Sequence, residues 1–278
     1  MSLSGVVQLF VGRPVHPVGD DGRMALSDHL RELRARILKS ALALTVGFFV
    51  ALVFFDPIFA LVEGPYTTAQ EALGADTTQA TTSGVGGPLM LYLKLCGLTA
   101  LIATSPFWLY QIWAFILPGL HANERRWTRI FVSIAGPLFI AGVVLGYLTL
   151  PKGLEILIGF NRDELLNLVD FNDYLSFFSR TLLVFGIAFE IPVFVVMLNL
   201  AGVVKGKTLA AYRPWIIVGT FIFAAAATPS ADPFTMCFMA GPMILLFVIS
   251  EIIARYNDRR RARQGINAGL SPDEMSPL

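Results

Sequence analysis

The sequence predicts an all-α integral membrane protein with six transmembrane helices. Three observations carry that reading. The 278 residues are 55% hydrophobic and only 15% charged, with a mean hydropathy of +0.65, whereas a soluble domain carries about 25% charge. The chain holds a series of charge-free runs near the roughly 20 residues that a bilayer core demands. Its basic residues alternate in bulk from one inter-run segment to the next. The same composition excludes intrinsic disorder, a nucleic-acid-binding domain and a disulfide scaffold. Cys96 and Cys237 are the only cysteines, both in apolar runs.

The first run is Ser40–Phe55, extendable back to Ile37 past a snorkelling Lys39. Leu95–Leu117 and Ile130–Leu150 follow, then Thr181–Val204, interrupted only by Glu190. Trp215–Ser250 spans 36 residues with one carboxylate, Asp232. That length suits two short spans joined by a tight turn. The expected organisation is a mobile tail over 1–26 and a membrane domain over 27–256, with a basic, then polar tail over 257–278. The spans fall at about 37–57, 93–117, 130–150, 180–204, 214–230 and 233–253. The opening residues lack the basic and apolar regions of a cleavable signal peptide, and Met24 is an alternative start. Prolines within the runs, among them Pro106, Pro137, Pro192 and Pro242, remove helix hydrogen bonds and predict kinked helices.

Orientation follows from Lys and Arg placement. Of the 21 basic residues, 17 fall on the side that holds both termini, and Asp56–Leu91 on the other side contains none. Both termini are therefore expected in the cytoplasm. Of the two long outer loops, the first is Thr-, Gly- and Ala-rich. Asp163–Phe178 in the other reads as a short helix lying on the membrane surface.

The polar groups that could carry function are few. Asp28–Ile37 forms an amphipathic stretch with Leu30, Leu33 and Ile37 on one face. Ser27 or Asp28 can cap it, and Glu32 precedes Arg36 by one turn, the favourable order for an ion pair. After the second run, Asn123 can cap the next helix, placing Glu124 in its first turn ahead of Arg125 and Arg126. Surface pairing and capping account for both acids. Two acids in so basic a neighbourhood could equally receive a cationic partner. Glu190, inside a span and two residues before Pro192, must be protonated, paired or facing a polar cavity. Asp232 before Pro233 fits a helix N-cap. Gly202–Thr208 has too few residues for a phosphate loop, and His16, His29 and His121 form no metal motif. No catalytic residue, metal site or cofactor is predicted.

Several motifs in order resemble the TatC family, the multispanning receptor subunit of the twin-arginine protein translocase. They are His29-Leu-x-Glu-Leu-Arg34, Ser105-Pro-Phe-Trp-Leu-Tyr-Gln-Ile-Trp-Ala-Phe-Ile-Leu-Pro-Gly-Leu120 and His121-x-x-Glu-Arg-Arg126. Tyr174-Leu-Ser-Phe177, Phe185-Gly-Ile-Ala-Phe-Glu-Ile-Pro192 and Thr228-Pro-Ser-Ala-Asp-Pro233 complete the set. The resemblance covers about 24–263 and implies a cup of six tilted helices with a short fifth and sixth. It further implies a non-enzymatic receptor for twin-arginine signal peptides. Glu32 and Glu124 would be the receptor carboxylates, supported by Leu33, Arg34, Phe115 and Arg125, with Asp28 and His29 as weaker candidates. Glu190, Thr228 and Asp232 would serve partner contacts, and Pro65 and Pro192 structure. The implied partners are signal peptides of folded cargo, single-span proteins of the TatA/TatB type and further copies of the chain, with transport driven by the proton-motive force. The competing reading from the residues is a proton-coupled small-molecule transporter using Glu190. An intramembrane enzyme ranks below it for want of a nucleophile–base pair.

Overall fold

The computed structural model describes residues 26–74, 78–116, 124–160, 167–200, 202–227 and 233–263. Helix α1 (Leu26–Val53) runs without a break from the amphipathic stretch into the first span. At Phe54 the chain turns into α2 (Phe55–Leu73). A strand β1 (Thr78–Thr81) follows, then α3 (Gly87–Ala103) and α4 (Ser105–Ile116). Helix α5 (Glu124–Gly159) leads to strand β2 (Asn167–Asp170) and α6 (Phe171–Leu200). A short α7 (Gly206–Ala211), α8 (Arg213–Ala227) and α9 (Pro233–Arg263) complete the chain.

Among the described residues, α1, α5, α6 and α9 are each long and apolar enough to cross a membrane. Helices α3 and α4 qualify together as one span bent by 57° at Thr104. The bend has a local cause. Pro106 cannot donate a backbone hydrogen bond, and the helix ladder is interrupted beside it. The Trp108 indole N–H donates to the Leu101 carbonyl across the bend at 2.9 Å. With the 15-residue α8, these make six apolar segments. Helix α8 is short, as expected. Helix α9 is longer than its apolar part: it is apolar to Ser250 and continues as a charged helix from Glu251 to Arg263.

The core is built on α6 packed against α5. Phe171, Tyr174, Leu175, Phe178, Leu182 and Phe185 repeat at helical spacing and are all buried. Close approach is set by two glycines. A Cβ at Gly142 would lie 2.5 Å from the Phe185 carbonyl oxygen, and one at Gly186 would lie 2.7 Å from the Phe139 ring.

The outer face departs from expectation in two places. The first outer loop contains a full helix, α2, whose Phe55, Val62, Tyr66 and Ala69 share one buried face. Pro65 within it is fully buried and deprives the Leu61 carbonyl of its helical donor. Tyr147 of α5 supplies the replacement, its hydroxyl donating to Leu61 O at 2.9 Å. Tyr174 of α6 likewise donates to Val62 O at 2.6 Å. The expected surface helix over 163–178 does not form: 161–166 lie outside the described residues, 167–170 are strand and 171–178 open α6. Its apolar residues from Phe171 onward face the protein core rather than lipid.

Strands β1 and β2 pair in parallel, Thr78 opposite Asn167 and Thr81 opposite Asp170. Gln70 ties the pair to α2 through Thr78 O at 2.6 Å. The Ser83 hydroxyl donates to Asp170 Oδ2, while the Asn172 backbone N–H donates to Oδ1 at 2.7 Å.

Candidate functional site

The N-terminal part of α1 and the C-terminal end of α4 meet. His29 of α1 stacks on Phe115 of α4 with ring centroids 4.4 Å apart and planes 17° from parallel. One turn further along α1, Arg36 donates to Glu32 through Nε at 3.0 Å and through Nη2, both contacts on Oε1. The two side chains are largely covered, 19% and 18% exposed. The Glu32–Arg36 pair is the one that the spacing predicts. Leu33 is half-buried and Arg34 exposed beside it. The backbone of α5 begins at Glu124, with Arg125 next. The side chains of Asp28, Glu124 and Arg125 lie outside the described residues, as do Thr228 and Asp232 altogether. Helix α9 nonetheless starts at Pro233, where a proline suits the first turn.

Glu190 is on α6, within the membrane-spanning part. The Trp113 indole N–H of α4 points at Glu190 Oε2 over 3.4 Å, a long contact between the second and fourth spans. Oε1 is buried and, among the described residues, has no hydrogen-bond partner. Pro192 is buried in α6.

A third polar cluster was not legible in advance. Glu251 of α9, 1% exposed, accepts from Arg213 Nε at 2.9 Å and Nη2 at 2.8 Å. Arg255 closes on Oε1 at 2.6 Å. About two turns beyond Glu251, Asp258 accepts from the Gly206 backbone N–H at 2.7 Å and from Asn199 Nδ2 at 2.9 Å. These bonds clasp the C-terminal end of α6, the starts of α7 and α8 and the charged part of α9 into one unit. Only the bidentate Arg–carboxylate chemistry hints at it, and Arg213 and Glu251 are 38 residues apart.

Six apolar helical segments around a buried aromatic core, with Glu190 inside one of them, define a multi-pass membrane protein. The family model described as "Sec-independent protein translocase protein (TatC)" matches residues 28–242, and the chain belongs to that family. It is thus a component of a bacterial-type twin-arginine translocase, an assembly that moves proteins. A Sec-independent protein translocase protein TatC from Frankia casuarinae is 42% identical over 269 residues, covering 93% of this chain and 74% of that one. Its counterpart from Deinococcus radiodurans is 36% identical over 231 residues, covering 83% and 85%. A crystal structure of the twin-arginine translocase receptor TatC superposes with a TM-score of 0.70 at 31% identity, covering 83% of this chain and all of that one.

Proposed function

We propose that this subunit is the receptor and scaffold of its translocase. It binds the twin-arginine motif of signal peptides at the cytoplasmic face, recruits single-span TatA/TatB-type partners and exports folded proteins using the proton-motive force. Both termini lie in the cytoplasm of a multi-pass plasma-membrane protein, in keeping with the basic ends of α1, α5, α8 and α9. The superposed relative is a twin-arginine translocase receptor, and the family match over 28–242 includes Glu32 and Phe115.

The observation that carries the reading is the state of Glu32. Arg36 occupies one oxygen, Oε1. Both contacts from Arg36 fall on that oxygen, so an incoming guanidinium shares the acid with it through charge-assisted hydrogen bonds of about 1.5–3 kcal/mol. Glu124 supplies the second carboxylate from the start of α5, where the helix dipole favours a negative charge. Two planar guanidinium groups match two acids in a way that lysine does not. Leu33, Arg34, Phe115 and Arg125 shape the surrounding patch, and the His29–Phe115 stack fixes α1 against α4. Glu190, Thr228 and Asp232 serve the partner helices. Glu190 Oε1, buried without a donor, is suited to a polar group on such a helix.

Site-specific cross-linking of a twin-arginine signal peptide to the purified chain tests the assignment. Glu32→Ala and Glu124→Ala each abolish the adduct while membrane insertion stays normal. Full cross-linking in the double variant refutes the site.

A further inference from the structure

A recess of about 600 Å³ lies between α1 and the bent α3–α4 pair. Its walls are almost wholly apolar, formed by Val46, Gly47, Val50, Thr104 and Phe107, with Lys39 the one charged residue at its end. The chain bends by 57° at Thr104 beside it. Gly47 lets α1 close on the Thr104 methyl group, which a Cβ there would meet at 2.9 Å, while the Thr104 hydroxyl donates to Ala100 O at 2.7 Å. Val46 and Val50 are half exposed there, at 55% and 51%. Lys39 makes no salt bridge among the described residues.

We propose that this recess is a binding site for one anionic phospholipid, its acyl chain lying along α1 and its phosphate on Lys39. The dimensions select the occupant. From Lys39 to Phe54 the lining on α1 rises about 22 Å, more than the roughly 15 Å depth of one leaflet. Spread over that length, the volume gives a mean cross-section of about 27 Å², room for one extended lipid tail but not for the body of a helix, about 80–110 Å² with its side chains. An ammonium at the basic end of an apolar channel complements a phosphate, and the bilayer supplies that phosphate at the height where Lys39 leaves the hydrocarbon. The site is independent of the signal-peptide patch.

The test is native mass spectrometry of the full chain in detergent, titrated with phosphatidylglycerol and with phosphatidylcholine bearing the same tails. The wild type retains one phosphatidylglycerol in preference to phosphatidylcholine. Lys39→Gln weakens phosphatidylglycerol about fivefold, the equivalent of about 1 kcal/mol for one lysine at the membrane surface, and leaves phosphatidylcholine unchanged. Val46→Trp, which fills the recess from an exposed position, weakens both lipids. Lys152→Gln, on the opposite face, changes neither. Equal behaviour of Lys39→Gln and Lys152→Gln, or full retention by Val46→Trp, reduces the site to ordinary annular lipid and overturns the proposal. Displacement of a bound single-span helix by Val46→Trp with lipid retention unchanged overturns it as well.

Discussion

Replacing Gly142 by alanine probes the contact on which the packing of α5 against α6 depends. The added Cβ would stand 2.5 Å from the Phe185 carbonyl oxygen, 2.9 Å from Phe189 Cγ and 3.0 Å from Gly186 Cα. Favourable contacts between carbon atoms lie near 3.5–4.0 Å. Two of the three opposing atoms are backbone of α6, which cannot swing aside as a side-chain tip can. Overpacking of this kind costs about 1–3 kcal/mol, and the backbone contact places it at the upper end. Alanine recovers about 1 kcal/mol of helix propensity over glycine. The net loss is therefore about 2 kcal/mol, which lowers the melting temperature by about 4–8 °C. Gly97→Ala is the control, since nothing lies within 4 Å of its added Cβ. There the propensity term acts alone, and melting rises by about 2–4 °C. Thermal unfolding in detergent, followed by intrinsic fluorescence, reads both. A Gly142→Ala protein that melts at or above the wild type refutes the close-approach argument.

Two further predictions concern the outer face. The Leu61 carbonyl needs the Tyr147 hydroxyl because Pro65 has no N–H, so Tyr147→Phe is more damaging with Pro65 present than in a Pro65→Ala background. A double-mutant cycle on unfolding free energies gives a coupling of about 0.5–1 kcal/mol, and a zero coupling contradicts the assigned role of Pro65. The Ser83 hydroxyl, and after it the Asn172 backbone N–H, hold the Asp170 carboxyl below its usual value of 3.8. A depressed acid stabilises the fold above its unfolded-state value, and that contribution is lost as pH falls through the folded value. The protection factors of the β1–β2 amides, exchange rates taken relative to free peptide at each pH, therefore fall below about pH 4. Asp170→Asn makes them low at all pH and removes the acid-dependent step.

Much of the fold was legible because the bilayer imposes it. A charge-free run of 20 residues has few alternatives to a spanning helix, and Pro106 marks the place where α3 gives way to α4. The Glu32–Arg36 pair was legible for the same reason of locality: it needs only helical spacing. What escaped was non-local. Phe55–Leu73 carries Pro57, Gly64 and Pro65, which read locally as loop. It is helical because α5 and α6 cover its apolar face and lend it two tyrosine hydroxyls. Four-residue strands 89 positions apart leave no local periodicity, so β1 and β2 had no signal of their own. Phe171, Tyr174, Leu175 and Phe178 show the spacing of an amphipathic helix, but that pattern alone does not say whether the apolar face meets lipid or protein. Glu251 follows the run Trp215–Ser250 directly, with no local hint of a partner. Only the fold brings Arg213 to it.

The central claim is that Glu32 and Glu124 together receive two arginines. Its most direct measurement is the dissociation constant of a twin-arginine signal peptide for the purified chain, beside a twin-lysine version. Replacing one carboxylate, by Glu32→Gln or Glu124→Gln, removes charge-assisted bonds worth about 1.5–3 kcal/mol and weakens the arginine peptide about ten- to a hundredfold. The lysine peptide, already weak, barely changes. Equal affinity of the two peptides for the wild type, or an arginine affinity untouched by both substitutions, contradicts the account.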